Sequence, residues 1–455
     1  MKQLETHIIN TKKIRFFHGF SNVQLHQFDQ IRTELLHKFD RLKDGSILNE
    51  TEKRRITHHK IREESQIQTT LKQLSHLEEK INEQSFTTIC HIGIGGSITG
   101  PQFLDHTMST WNFNKMRTPL FINNHDEDHI NQALNGTQIS KTLFIIVTKS
   151  GSTIEIQKII DYICVLSNIN KADFLKNQCI AVTSNETKLD PTDFYKTLYF
   201  DSGIGGRFST TSIVSLLTLS LVYGKKIIEP FLTGAQDGDK NASQNDINNL
   251  ALSMAIIRNQ QQQKFSGLAC IPYGEALSKL PPFLSQLTCE SLGKGATNNN
   301  QQTTQQFSPI LMTGVGPNAQ HTFFQQIHQG NPIIPVDFYI TAPNKPNQEH
   351  QLKQLIGQSI SLYEGQQDTN PHHYFSGNRP STITYLKDRS LETLGFFISC
   401  LENRIMFEGF LNNINCFDQP GVELGKQTTK NIESAPSSTG RLLLQSLTND
   451  LDVKK

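Results

Sequence analysis

From residue 85 onward the chain sets short apolar runs between stretches of helical periodicity: Thr88–Ile92, Pro119–Ile122, Thr142–Val147 and Cys179–Val182. Runs of this length suit strands buried on both faces and are too short for helices. Parallel strands cannot be joined by hairpins, so the helical stretches between them are the crossovers that a parallel sheet requires. The alternation therefore predicts α/β architecture, a parallel sheet with helices on both sides. A second series opens at Gly267-Leu268-Ala269-Cys270-Ile271-Pro272-Tyr273, passes through Ser308–Thr313 and continues over Ile333–Ile340. At 455 residues the chain exceeds what one hydrophobic core supports. Two α/β/α sandwiches follow, residues 81–233 and 249–410, joined by a polar segment around Gly234–Asn248. Residues 1–80 read as a helical N-terminal segment on the spacing of Leu25, Phe28, Ile31, Leu35 and Leu36, and 411–455 as a helical C-terminal segment. From about Asp388 a stripe of Leu391, Leu394, Phe397 and Leu401 is again helical.

Where the strand Leu143–Val147 stops, the chain continues Thr148-Lys149-Ser150-Gly151-Ser152-Thr153 and then resumes a helical pattern. Gly151 permits a tight turn, the hydroxyls of Ser150, Ser152 and Thr153 are donors, and the first amides of the next helix point outward unpaired. A small dianion fits such a nest, with Lys149 adding a point charge. The plainer reading is that Ser152 or Thr153 only caps a helix. A second turn of similar design, Gly93-Ile94-Gly95-Gly96-Ser97, follows the strand Thr88–Ile92, and two such turns in one domain read as halves of one site.

The net charge of +1 gives no global attraction to nucleic acid or an anionic membrane. The basic excess of residues 1–75, including Lys53-Arg54-Arg55, reads as a solvated helical face. Seven scattered cysteines without a C-x-x-C pair argue against a disulfide framework or zinc site and for a reducing compartment. The start of the chain lacks an apolar signal core, and the most apolar stretch, Ile213–Tyr223, is too short to span a bilayer. The expectation is a cytoplasmic protein. The Gln/Asn-rich tracts at 259–263 and 298–306 read as solvated surface turns.

Candidate acids, bases and cations lie further along. Gln286, Glu290 and Lys294 fall at i, i+4 and i+8 and share a helix face, either as a surface Glu-Lys pair or with Glu290 as a general base and Gln286 orienting a sugar hydroxyl. Arg207 follows Gly203-Ile204-Gly205-Gly206 and precedes Phe208-Ser209-Thr210-Thr211, which suits either an ordinary ion pair or a fixed cation beside developing enediolate charge. His321 is placed just inside a helix after the Gly314–Pro317 loop, and His328 near that helix's end. Gln419 and Lys426 flank a turn-to-helix junction in Phe417-Asp418-Gln419-Pro420-Gly421-Val422-Glu423-Leu424-Gly425-Lys426.

Taken in order, Gly95-Gly96-Ser97, Lys149–Thr153, Gly205–Ser209, Gln286 with Glu290–Lys294, Gln320-His321 with His328–Gly330, and Phe417–Lys426 resemble the glucose-6-phosphate isomerase family over roughly residues 85–430. The first half also resembles the sugar-isomerase (SIS) domain. The resemblance implies two SIS domains, a homodimer, and interconversion of glucose 6-phosphate and fructose 6-phosphate, a step of glycolysis and gluconeogenesis, through a cis-enediolate without metal or organic cofactor. It implies that Gly96, Ser97, Thr148, Lys149, Ser150 and Thr153 hold the phosphate, that Arg207 stabilises the enediolate, and that Gln286 positions the substrate. Glu290 would move the proton between C2 and C1. His321, donated by the partner subunit, would assist ring opening beside Lys426 and Gln419. Thr148 stands where the family usually has Ser, and Pro420 where many members have Trp. Two other readings stay open: another SIS-type isomerase acting on mannose or amino-sugar phosphates, and a non-catalytic sugar-phosphate-binding regulator.

Overall fold

A computed structural model of the chain describes residues 7–434 and 439–448. The reading of the first six residues, and that of the C-terminal segment over 435–438 and 449–455, lie outside the described residues. Residues 1–416 form one compact unit and 417–455 a second.

The apolar runs become two sheets. The first is wholly parallel, in the order Thr118–Ile122, Thr88–Ile92, Thr142–Val147, Cys179–Ser184, Lys196–Phe200. One face packs Cys90, Ile92, Phe144 and Ile146 against Ile130, Ile159, Ile163 and Phe174 of the crossover helices. Ile89, His91, Leu143 and Ile145 alternate with them and point the other way. There the helix Ile213–Tyr223, buried at every position, meets the sheet. It was the most apolar stretch of the sequence because it is a central helix of the core.

The second sheet runs Ile310–Thr313, Gly267–Tyr273, Val336–Thr341, Ser381–Leu386, all parallel, and then gains two antiparallel strands, Ile14–Phe17 and Ile8–Asn10. The N-terminal segment is therefore not helical throughout: its first described residues form a hairpin that extends the later sheet. Only after it come the helices Asp29–Lys43 and Glu64–Asn82. Lys53-Arg54-Arg55 is not a helical face either, since Arg54–Arg55 pairs with Leu48–Asn49 in a two-stranded ribbon.

The segment expected to be a polar joint is structural. Ile228–Ala242 is a helix packed tightly against the long helix Leu391–Leu411. A Cβ added at Gly395 would lie 1.9 Å from the Phe231 carbonyl oxygen, so a bare glycine there lets the two backbones touch. Arg62, 1% exposed, ties the N-terminal part to both helices, pairing with Asp239 at 2.9 Å and with Glu402 while its Nε donates to Thr211. Of the Gln-rich tract at 259–263, residues 259–262 complete the helix Leu250–Gln262, and Gln261 is buried with its Nε2 donating to the Ser21 carbonyl, so that tract is not a solvated turn. All seven cysteines are free, and among the described residues no helix is long and apolar enough to cross a membrane.

Candidate active site

In the first sheet the chain leaves the strand Thr88–Ile92 to form one neighbour, Thr118–Ile122, and then crosses to form the other, Thr142–Val147. Such a reversal opens a crevice beyond the carboxyl ends of the strands. The two expected turns both start there. Gly95 and Gly151 adopt left-handed φ values of 57° and 73°, conformations that turn each chain sharply out of its strand. In the second turn the Thr148 and Thr153 hydroxyls are 3.2 Å apart, Thr148 Oγ1 also accepts from the Gly151 amide, and the Ser150 and Ser152 hydroxyls meet at 2.9 Å. Thr153 occupies the N-cap of the helix Ile154–Ser167, yet its side chain makes no cap hydrogen bond. The first amides of that helix, which have no intrahelical acceptors, therefore face the crevice without side-chain competition. The Lys149 Nζ donates to the Ile204 carbonyl at 3.2 Å, and burial, aided by the nearby Arg54 charge, pushes its ammonium down to about 8.

The first turn is pressed onto the Arg207 loop. A Cβ at Gly96 would lie 2.2 Å from the Gly206 carbonyl carbon and 2.6 Å from the Arg207 amide nitrogen, and the Ser209 hydroxyl donates to the carbonyls of Gly96 and Gly206. Arg207 is 2% exposed. Its Nε donates to Ser291 Oγ at 2.7 Å and its Nη2 to the Cys416 carbonyl, which fixes the guanidinium with Nη1 3.4 Å from Glu290 Oε1. Glu290 projects from the helix Leu280–Leu292, whose first turn carries Pro281 and Pro282, positions where a missing N–H costs nothing. One turn earlier on the same face, Gln286 Nε2 donates to Glu290 Oε2 at 3.0 Å, while its Oε1 accepts from the Thr99 hydroxyl at 2.8 Å. Lys294 falls beyond the helix end, and Arg207 places a cation beside Glu290.

Gly96, Ser97, Thr148, Lys149, Ser150, Thr153, Arg207, Gln286 and Glu290 thus lie on elements linked by direct contacts around one crevice. His321 is not inside a helix: it occupies the turn between the short helices Gly316–Ala319 and Phe324–Gln329, exposed. Its amide donates to the Asn318 carbonyl. His328 does lie in the last turn of the second short helix, its Nε2 2.8 Å from Gln358 Oε1. Gln419 and Lys426 belong to the second compact unit, where Lys426 pairs with Glu423 at 2.8 Å.

Four contributors had no signal strong enough to be singled out. Thr99 and Ser291 each adjoin a recognised motif residue and supply a single hydroxyl. Arg54, assigned to a basic surface, donates to the Gly203 carbonyl at 2.9 Å and so braces the Arg207 loop. His91, alone in an apolar strand, reaches the Ser97 carbonyl at 2.7 Å. Among the described residues no three His, Cys, Asp or Glu side chains gather as a metal ion would require.

A carboxylate held against a buried guanidinium, next to a cradle for a dianion, is the equipment of a sugar-phosphate isomerase, where a proton moves between neighbouring carbons of a phosphorylated sugar. Comparison with known proteins narrows that class. A family model described as phosphoglucose isomerase matches residues 22–449, and the chain belongs to that family. A glucose-6-phosphate isomerase of Desulfotalea psychrophila is 33% identical over 435 residues, 87% of this chain and 81% of that one. Its counterpart in Treponema denticola is 32% identical over 436 residues, 88% and 83% of the two chains. The solved structure of a glucose-6-phosphate isomerase from Chlamydia trachomatis matches with a TM-score of 0.89 at 27% identity, over 99% of this chain and 94% of that one. A Thermus thermophilus protein described as hypothetical shares the fold at a TM-score of 0.71 and 23% identity, over 90% and 95% of the chains.

Proposed function

We propose that Glu290 is the base of an aldose-ketose isomerisation whose negative charge is balanced throughout by Arg207. The chain interconverts glucose 6-phosphate and fructose 6-phosphate, the reaction of its family. Glu290 takes the proton from C2 of the open-chain aldose, the C2–H electron pair becomes the enediolate, and the same carboxyl returns the proton at C1. In the first step one negative charge leaves the carboxylate and appears on the substrate oxygens. The observation that carries this reading is Arg207 Nη1 at 3.4 Å from Glu290 Oε1. A fixed, always-protonated cation there neutralises the carboxylate before the transfer and the enediolate after it, with little reorganisation. The Gln286 amide, oriented by Thr99, holds the second carboxylate oxygen and positions the substrate. Gly96, Ser97, Thr148, Lys149, Ser150 and Thr153 bind the phosphate, supported by the free helix amides beside them.

His321 assists ring opening, with Lys426 and Gln419, in a homodimer where the partner subunit supplies the histidine. Its exposed position on a turn between two short helices supports donation to a neighbour. The protein works in the cytoplasm, in glycolysis and gluconeogenesis.

Glu290→Gln keeps shape while removing proton acceptance, so kcat for fructose 6-phosphate falls by about 10²–10⁴-fold with phosphosugar binding retained. Near-normal turnover of that variant would exclude Glu290 as the base. Co-refolding Glu290→Gln with His321→Ala tests the shared site: half of randomly assembled dimers are mixed, each with one intact composite site, so about a quarter of activity returns. No recovery despite subunit exchange means that Glu290 and His321 do not share a site across the interface.

A further inference from the structure

We propose that His91 is a positioning residue for substrate phosphate, holding the Gly95–Ser97 turn in its binding geometry from beneath through the Ser97 carbonyl. His91 lies on an interior strand of the first sheet, second from its edge, fully buried, on the face turned toward the helix Ile213–Tyr223. Its neighbours on that face of the sheet, Ile89 and Ile145, are apolar and equally buried, so nothing in the strand itself calls for an imidazole. Both ring nitrogens are nevertheless engaged: Nε2 lies 2.7 Å from the Ser97 carbonyl oxygen and Nδ1 2.7 Å from Thr218 Oγ1.

The pattern admits one assignment of protons. A carbonyl oxygen only accepts, so Nε2 carries the hydrogen; Nδ1 is then the acceptor, and the Thr218 hydroxyl donates to it. Burial holds the imidazole well below its usual value, at about 4, so the ring stays neutral with that single proton. Helix, imidazole and turn form a chain of hydrogen bonds that runs from the core to the crevice.

What hangs on the far end is the site. The Ser97 carbonyl closes the turn that carries Gly95 and Gly96, whose backbone touches the Arg207 loop, and Thr99, which orients Gln286, follows two residues on. An aliphatic side chain at position 91 leaves the Ser97 carbonyl without its core donor. The turn then rotates its carbonyl toward water, moving the Ser97 hydroxyl away from the phosphate. The proposal rests on the assignment of this turn to phosphate binding, and the test separates the two.

Fructose 6-phosphate kinetics and competitive inhibition by inorganic phosphate are measured on full-length His91→Leu, His91→Gln, Thr218→Val and Ser97→Ala, with urea unfolding of each. In His91→Leu the KM and the phosphate inhibition constant rise together by about tenfold, equivalent to about 1.4 kcal/mol, with a smaller change in kcat. The Gln variant, whose amide nitrogen reaches the place of Nε2, returns both to within about threefold of the parent. Thr218→Val, which leaves the ring without its orienting donor, moves both constants in the same direction by less. A loss of stability alone would not raise KM and phosphate inhibition in parallel, nor be rescued by Gln. A folded His91→Leu with both constants unchanged overturns the inference, as does an equal rise in the Leu and Gln variants. Should His91→Leu not fold, unchanged constants in Thr218→Val overturn it. If Ser97→Ala weakens phosphate inhibition while His91→Leu does not, positioning by His91 alone is refuted; if neither weakens it, the phosphate assignment of the turn falls as well.

Discussion

The contact between the Gly96 turn and the Arg207 loop makes a single methyl group a severe perturbation. A Cβ at Gly96 would stand 2.2, 2.4 and 2.6 Å from the Gly206 carbonyl carbon, the Gly206 oxygen and the Arg207 nitrogen, all backbone atoms that no rotamer change can move. Carbon atoms in ordinary contact sit about 3.5–4.0 Å apart, so the two turns must separate by more than about 1 Å. One turn carries Ser97 and the other Arg207. Misplacement on that scale costs on the order of 10²-fold in rate. We expect Gly96→Ala to lose about two orders of magnitude in kcat/KM while costing about 1–3 kcal/mol of stability. A coupled assay in both directions reads the first and urea unfolding the second. Gly357, inside the helix Pro346–Glu364 with nothing within 4 Å of an added Cβ, is the control: Gly357→Ala gains about 0.4–1 kcal/mol and leaves kinetics unchanged. Gly96→Ala with kcat/KM within about threefold of the parent would refute the view that the touching turns set the geometry of the site.

Three other outcomes follow from features of the fold. Because burial and Arg54 lower Lys149 to about 8, its positive charge is present below that pH and lost above it; KM for fructose 6-phosphate should climb above about pH 8, and Lys149→Arg, which keeps its charge, should flatten the rise. His18 and His91 are each held to about 4, so between pH 6.5 and 4 the unfolded chain binds more protons than the folded one and stability falls as pH drops through that window. Each contributes at most about 1.4 kcal/mol per pH unit, which urea midpoints at pH 7, 6 and 5 will resolve. Gly395→Ala, whose methyl would meet the Phe231 carbonyl at 1.9 Å between two packed helices, should destabilise by about 1–3 kcal/mol or more, seen as a lowered urea midpoint with little change in KM.

The sheets were readable because fully buried parallel strands must be apolar along their whole length, as Leu143–Val147 is, and the two sharp turns at their ends because Gly95 and Gly151 mark where the chain leaves a strand. The N-terminal hairpin was not readable. Ile8, Ile14 and Phe16 are too few to announce a strand, and their partner, Ser381–Leu386, lies at the far end of the chain. Gly234 and Gly238 look like a joint until the facing helix is known, because what glycine contributes there is the absence of a side chain. Glu290 was visible as a candidate on its helix face and Arg207 as a candidate cation after its glycines, but that the two side chains, from different elements, meet at 3.4 Å could not be read from either segment. His91 fell below notice for a similar reason: one histidine in an apolar strand has meaning only once Ser97 and Thr218 are seen on either side of it.

The hairpin that completes the second sheet also constrains how the chain is made. Asn22, just past it, hydrogen-bonds to Asn378, 356 residues later, and Phe17 pairs with Ile383. At a translation rate of about 5–20 residues per second, the strands Ile8–Asn10 and Ile14–Phe17 wait some tens of seconds before the strand they pair with exists. The first sheet, whose strands all fall within residues 88–200, can close long before that. During the interval Ile9, Ile14 and Phe16, all buried at the end, have no sheet to join. Fusions or tags placed before Ile8 therefore act on the last event of folding, and their harm would appear as poor yield and chaperone dependence of the nascent chain rather than as altered kinetics of the molecules that succeed.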